Sequence, residues 1–441
     1  MIEAQGSSPH SGEVAAQTPE GPQGSSPLSG EVAAQPPEGP RFALFQPLRS
    51  RDFRLIWGGF TLSLLAFQLS FVGIAWLTLQ LTGSPLTTGG VLAAEAVPRG
   101  VLGLLAGAAS DRFGARRIGV ISSIVRVASM GSLAALALMG AVNMPEIYAL
   151  AVVFGGADAF YGPSRASILP QTVSAEQLEP ATALEQSTQA LGSLLGPALA
   201  GVVVAKLGAG YALGGDAVLF VGVAVATAAV RVGAPRSGAE GAPVGILGDI
   251  AAGLRYVFAD PLLRTLIVLV SAMTLAANGP VDVGLAALAR YHLGGPAAFG
   301  IMLAGFGGGS LIGSLLAGVL PPGRLFRRIL AAGLCFAVGM PLLGVVPSVV
   351  YAAIITTGLG VVAGVISVLA SAWIMRRTDA SMMGRVMSLL MVSTVGLSPL
   401  SLAISGAIAQ FSIPLVFVAS GALMLAAAAG GAMSRTVREA E

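Results

Sequence analysis

From residue 53 onward the chain alternates apolar stretches of about 20 residues with short polar, glycine- or proline-containing breaks. Each stretch is long enough to cross ~30 Å of hydrocarbon as a helix. The pattern predicts spans at 56–80, 86–110, 117–140, 147–169, 182–206, 211–231, 263–286, 297–320, 328–346, 347–373, 384–408 and 412–433, with the turns near 208–210 and 346–348 the least marked. The expectation is an all-α polytopic membrane protein with twelve transmembrane helices.

The longest internal connector, residues 232–262, contains Pro235, Pro243 and an amphipathic stretch from Gly248 to Phe258. It divides the spans six and six, giving an N-terminal bundle at 49–231 and a C-terminal bundle at 263–434, followed by a tail at 435–441. The halves resemble each other. Gly90-Val-Leu-Ala-Ala aligns with Gly300-Ile-Met-Leu-Ala at an offset of 210, which also superposes Gly103 on Gly313 and Arg117 on Arg327. Two pseudo-symmetric six-helix bundles suit a transporter better than a receptor or channel.

Residues 1–48 have a different pattern. Gln5–Gln17 returns almost unchanged as Gln23–Gln35, an 18-residue tandem repeat, and the first 40 residues hold five Glu and no Lys or Arg. Such a segment lacks the apolar content to fold and is expected to stay disordered. It has neither the basic start nor the apolar core of a signal peptide.

Composition agrees with the spans and narrows the chemistry. Of 441 residues, 55% are hydrophobic and 10% charged, too few to cover a water-facing surface. The 24 basic residues are 23 Arg and one Lys, Lys206, which is followed by Leu207; no phosphate-binding G-x-x-x-x-G-K-[ST] loop exists, excluding ATP-driven pumping by this chain. With two His (His10, His292) and one Cys (Cys335) there is no zinc-ligand cluster and no intramolecular disulfide. No nucleophile–base pair is visible, which argues against an enzyme.

The Arg distribution sets the expected orientation. With the N-terminus in the cytoplasm, the inside segments collect 20 of the 24 basic residues; Lys206 and Arg290 lie outside, and Arg99 and Arg126 fall within spans. This is a positive-inside asymmetry, and it places both termini in the cytoplasm. It also accounts for a pI near 9.3 without invoking nucleic acid.

The connection between the second and third spans reads Gly107-Ala-Ala-Ser-Asp111-Arg112-Phe-Gly114-Ala-Arg116-Arg117. It resembles the G-x-x-x-D-R-x-G-x-[RK]-[RK] loop of the major facilitator superfamily, at the position where that superfamily carries it. Leu48–Trp57, Pro170, Gly196-Pro197 and Gly384-Arg385-Val386 are similar to the macrolide-efflux and enterobactin-exporter branch. The resemblance covers about residues 49–430. It implies a cell-membrane exporter of drugs or siderophores driven by protons, with no cofactor beyond the coupling proton. It also implies a cytoplasmic gate, in which the loop Asp engages the start of helix eleven and the following Arg residues tie nearby helix ends. The chain departs from the antiporter pattern in helix four, which carries Asp158 in place of the usual Arg, and in helix five, where Gly192-x-x-x-Gly196-Pro197-x-x-x-Gly201 replaces a paired-glycine ending.

A charge inside a span raises the insertion free energy by roughly 2.5–3.5 kcal/mol, so it needs a partner or water. At 1.5 Å per residue, Asp158, Arg126 and Arg99 lie about 14–16 Å from a span end, near the midplane, with Glu95 one turn from Arg99. A carboxylate beside an Arg is tunable across physiological pH, whereas the Arg stays charged. Asp158 is therefore the leading proton carrier and Glu95 the second, with Arg126 the counter-charge to one of them. The i,i+4 pair Glu95–Arg99 equally fits a structural role.

For a cargo cavity the candidates are Gln68, Asn278 and Asp282, with Phe71, Phe154 and Tyr161 as an apolar wall; an amphipathic cargo is expected. Gly192, Gly196 and Gly201 offer close helix packing, and Pro197 and Pro399 can bend helices five and eleven. Trp57, Trp76 and Trp373 sit near span ends as interface anchors. The expected partners are the cargo and membrane lipids, and the chain is expected to act as a monomer. Two alternatives remain at this stage: an uncoupled lipid or metabolite facilitator, and a membrane assembly or sensor protein without transport.

Overall fold

A computed structural model describes residues 43–231, 255–321, 325–379 and 382–433. The tandem repeat, residues 232–254 of the connector and the C-terminal tail lie outside the described residues.

A short 3-10 turn, Ala43–Arg49, leads into twelve helices: α1 Arg51–Thr82, α2 Pro85–Phe113, α3 Ala115–Leu138, α4 Met144–Ile168, α5 Leu178–Leu207, α6 Ala209–Ala229, α7 Pro261–Tyr291, α8 Pro296–Val319, α9 Leu325–Leu342, α10 Val349–Arg377, α11 Met383–Phe411 and α12 Ile413–Met433. Each corresponds to one predicted span. Among the described residues eleven helices are long and apolar enough to cross a membrane. The twelfth, α4, has 25 residues and is less apolar because it carries Glu146, Asp158 and Arg165.

The breaks follow local chemistry. Ser50 and Ser84 accept from Phe53 N (3.3 Å) and Thr87 N (3.2 Å), capping α1 and α2, and Pro85 occupies the first turn of α2, where its missing N–H leaves no donor unsatisfied. Asp260 caps α7 by accepting from Leu262 N at 2.8 Å. Gly114 separates α2 from α3 at φ +87°, a backbone conformation that side chains disfavour, so the loop motif needs glycine there.

Helix packing repeats with a shift of six. In the N-terminal half α1 packs on α5 and α6, α2 on α4, and α3 on α6; in the C-terminal half α7 packs on α11 and α12, α8 on α10, and α9 on α12. The halves meet through α2 against α11 and α5 against α8, two contacts that exchange under the same shift. This is the pseudo-symmetry expected from the 210-residue offset.

Two helices contain irregular turns that periodicity alone did not indicate. Pro280–Gly284 in α7 and Val392–Gly396 in α11 are π-helical, and Pro399 follows the second of these. The expected bend in α11 thus takes the form of a π segment plus a proline, whereas α5 runs unbroken through Pro197. One anchor assignment fails: Trp76 is 2% exposed and belongs to the core. Trp57 is instead held by its indole N–H donating to Thr188 Oγ1 at 2.9 Å.

Candidate functional site

The halves enclose a cavity of about 470 Å³ at mid-depth, within the range of small-molecule sites. Its N-terminal wall is Phe67, Gln68 and Phe71 of α1, Glu95 and Arg99 of α2, and Ser193 and Pro197 of α5. The opposite wall is Asn278 and Asp282 of α7, Phe306 and Gly307 of α8, and Thr394, Val395 and Ser398 of α11. Both π segments supply lining residues, Asp282 and Thr394 among them. Extra backbone turns of this kind re-aim side chains and often mark functional positions.

Phe67 and Phe71 stack with centroids 6.2 Å apart, and the Arg99 guanidinium lies 5.3 Å from the Phe67 ring centre. The wall is therefore aromatic with charge beside it, a surface suited to amphipathic molecules.

Behind α2, the charges form one chain. Arg99 donates to Glu95 Oε1 at 2.6 Å and approaches Asp158 at 3.8 Å; Asp158 Oδ1 pairs with Arg126 Nη2 at 2.9 Å. The network runs from the cavity wall to the interior of the N-terminal half. Gly155 makes it possible, because a Cβ there would collide with the Glu95 carbonyl oxygen; its absence lets α4 bring Asp158 close to α2. All four predicted charges meet, and the counter-charge of Asp158 is Arg126.

Arg126 is 1% exposed and enclosed by aromatic rings: Phe220 at 3.6 Å, Tyr161 at 5.3 Å and Phe154 at 5.4 Å from its Cζ. This corrects the cavity assignment. Gln68, Phe71, Asn278 and Asp282 line the cavity as expected, but Phe154 and Tyr161 pack around Arg126 instead. The reason is helical phase. Residues 154, 158 and 161 share one face of α4, so the face that aims Asp158 at Arg126 aims the two rings there too.

Two further polar groups escaped the sequence reading. Arg165 of α4 pairs with Glu185 of α5 and lies 4.0 Å over Phe60. Asp216 of α6 is fully buried; among the described residues no cation pairs with either carboxylate oxygen, and the Ser70 hydroxyl is a polar neighbour. A lone Asp in a 21-residue apolar helix was the available signal.

The two ends of the bundle differ. At the end remote from the Arg-rich loops, Gly201 faces Gly300 and Gly89 faces Gly406 in backbone contact. There Ser84 Oγ donates to Gln410 Oε1 at 2.9 Å, and Tyr291 Oη donates to the Gly83 carbonyl at 2.6 Å. At the Arg-rich end the approach of α2 to α11 thins out: a Cβ added at Gly103 would stand 3.9 Å from the Met391 methyl group, and nothing lies within 4 Å of one at Gly107. Asp111 and Arg112 are exposed, Arg117 is exposed, and Arg116 donates to the Ala228 carbonyl, tying α3 to the end of α6. Gly192 and Gly196 pack on Leu64 and Gln68 of α1.

Twelve helices in two halves related by pseudo-symmetry, with a cavity at the interface of the halves, define a transporter of the major facilitator type. Residues 42–441 match the transmembrane secretion effector family, and the chain belongs to it. It is a multi-pass membrane transporter, not an enzyme. It is 27% identical over 355 residues to the multidrug efflux pump Tap of Mycolicibacterium fortuitum, covering 78% of this chain and 85% of that protein. To an uncharacterized MFS-type transporter of Sinorhizobium fredii it is 29% identical over 376 residues, covering 83% and 91%. Among solved structures the nucleoside transporter NupG superposes with a TM-score of 0.71 at 12% identity, covering 85% of this chain and 98% of that one. The POT family transporter PepTSo gives 0.68 at 13%, covering 89% and 99%.

Proposed function

We propose that this protein exports small amphipathic compounds, of the drug or siderophore class, across the cytoplasmic membrane in exchange for protons. Both termini lie in the cytoplasm, and the chain works as a monomer by alternating access. The observation that carries the reading is the charge chain from Glu95 and Arg99 on the cavity wall through Asp158 to Arg126. The efflux function named for the mycobacterial relatives supports the cargo class.

With the Arg-rich end inside, the arrangement is inward-facing. Cargo reaches the cavity from the cytoplasm or inner leaflet and rests its apolar part on Phe67, Phe71 and Phe306, with Gln68, Asn278 and Asp282 meeting its polar groups. Asp158 is the coupling carboxylate. When it takes a proton, its charge-assisted bond to Arg126 is lost, Arg99 is held by Glu95 alone, and the contact between α2, α3 and α4 is re-weighted. Proton and cargo then favour opposite facing states, which is what exchange requires. The loop of Gly107, Asp111, Arg112, Gly114, Arg116 and Arg117 is the gate that latches in the outward-facing state. An exposed Asp111 suits the unlatched condition.

The test is uptake of a lipophilic dye into inverted proteoliposomes under an imposed pH gradient. Wild-type protein accumulates dye while protons move out, and Asp158→Asn loses gradient-driven accumulation while retaining dye binding. Unchanged coupling in a well-folded Asp158→Asn removes Asp158 from the mechanism. Dye flux without proton flux in the wild type would make the protein an uncoupled facilitator, and no flux at all a non-transporting protein.

A further inference from the structure

Arg126 and Asp216 present complementary unmet demands. The guanidinium uses Nη2 on Asp158, while its Nε and Nη1, both buried, have no hydrogen-bond partner. Asp216, at 0% exposure, likewise has no cation bonded to either oxygen, and the Ser70 hydroxyl is a polar neighbour of its carboxyl. The helices that bear them, α3 and α6, pack against each other, and Phe220, one turn from Asp216 on the same helix, lies 3.6 Å from the guanidinium carbon. Asp216 and Arg126 are within electrostatic reach. An ionised carboxylate left without partners in such a site would be strongly unfavourable.

The cluster holds two cations, Arg99 and Arg126, for three acids, Glu95, Asp158 and Asp216. Arg126 comes from α3, with Asp158 of α4 and Glu95 of α2 beyond it. The neighbour from α1 is the uncharged Ser70, whose single hydroxyl proton has the Ala66 and Phe67 carbonyls (3.3 and 3.0 Å) and the Asp216 carboxyl as competing acceptors. The other charges of α1 (Arg51, Asp52, Arg54) and of α3 (Arg116, Arg117) lie in the first turns of those helices, and those of α5 (Glu179, Glu185, Lys206) lie toward its ends. Glu95 is already engaged by Arg99.

We propose that Asp216 is a second proton-holding carboxyl that shares the Arg126 guanidinium with Asp158, so that one proton resides on the pair and Arg126 bonds whichever member is ionised. In the state described, Asp158 is ionised and Asp216 carries the proton. In the exchanged state Asp158 gains a proton, forming one O–H bond, and its hydrogen bond to Arg126 opens. The guanidinium then turns about its aromatic cage to Asp216, which releases its proton by breaking one O–H bond. Arg126 stays charged throughout, and the pair holds one proton before and after the exchange. Asp216 lies about 10 Å from the outer end of α6, nearer the outer face than Asp158, so the two acids are separated along the direction of transport. This deepens the proton-coupled reading and rests on it for its physiological meaning.

The test reads carboxyl protonation without transport. Full-length protein in lipid nanodiscs is examined by infrared spectroscopy at neutral pH, following the carbonyl stretch of protonated carboxyls. The wild type is expected to show a component that is lost in Asp216→Asn. The same component is expected to be lost in Asp158→Asn, because Arg126, released, draws Asp216 into its ionised form. Loss in both variants supports the shared proton. Persistence in Asp158→Asn overturns it and makes Asp216 a permanently neutral packing residue; absence of any Asp216-dependent component in the wild type overturns it as well. Asp216→Ser serves if the Asn variant does not elute as a folded protein. Failed dye coupling with these infrared losses intact would remove the exchange mechanism while leaving the shared proton in place.

Discussion

The seal at the end remote from the Arg-rich loops invites a direct perturbation, Gly201→Ala. A Cβ at this position would stand 2.7 Å from the Pro296 carbonyl oxygen, 2.9 Å from Gly300 Cα and 3.1 Å from Gly300 N, all backbone atoms that cannot rotate away. Bringing those contacts to tolerable separation requires α5 and α8 to part by roughly 0.3–0.7 Å, the kind of overpacking that typically disfavours a packed state by about 1–3 kcal/mol. Alanine also raises helix propensity, by roughly 1 kcal/mol, but it does so in either facing state. Only the clash is specific to the state in which α5 touches α8. The ratio of inward-facing to outward-facing molecules should therefore fall by about 5- to 150-fold. Spin labels on Leu207→Cys and Phe411→Cys, both exposed at the outer ends of opposite halves, report it in a Cys335→Ser background. Distance distributions in nanodiscs should gain a longer component. Gly358→Ala, where nothing lies within 4 Å of the added carbon, is the control and should leave the distribution unchanged. An unaltered distribution in Gly201→Ala, or an equal shift in the control, would refute the argument.

Two other outcomes follow from local bonding. Ser401, 1% exposed, accepts from Gly279 N and donates to the Leu275 carbonyl, both at 2.8 Å, just before the π segment of α7; Ser401→Ala strands a buried N–H and should lower stability by about 1–3 kcal/mol, read as a fall in the thermal unfolding midpoint. At the Arg-rich end, partial burial disfavours the Asp260 charge, but hydrogen bonds from Arg377 (2.8 Å), Leu262 N and Leu263 N outweigh it and hold the carboxyl below its ordinary value. A depressed folded-state value stabilises above the unfolded carboxylate range of about 4 and is lost as pH falls through the lower folded value. Asp260→Asn should therefore flatten the acid limb of the melting profile and leave transport at neutral pH intact; an unchanged acid limb would sink this assignment.

How much of this was legible in the sequence depended on which signal each feature leaves. Twelve apolar runs fix twelve helices because a bilayer admits no other way to satisfy a lone spanning backbone. The meeting of Glu95, Arg99, Arg126 and Asp158 was legible for the same reason, since each charge at that depth needs a partner. Phe154 and Tyr161 were misplaced because an aromatic residue leaves no comparable signal; only their phase relative to Asp158 tells which way they face. Asp216 was overlooked though its signal was as clear as that of Asp158, in a helix otherwise apolar or small. The π segment of α7 had a partial marker in Asn278-Gly279-Pro280, where proline removes a donor. That of α11 had none within its own turns, and the contacts between helices distant in sequence that pack both segments are invisible to any local pattern.

Helix α8 carries seven glycines in 24 residues. On one side Gly305, Gly309 and Gly313 lie against the α10 backbone, answered by Gly360 and Gly364; on another Gly300 and Gly307 lie against α5. In water such a helix would be disfavoured by about 1 kcal/mol per glycine relative to alanine and would not hold. Hydrocarbon removes the competing solvent and leaves the helical form as the only one with its backbone satisfied. The protein has thus placed its least self-sufficient helix at the surface where its halves meet. That choice makes the bilayer a structural component of the transporter, and α8 is where a harsh detergent should first undo it.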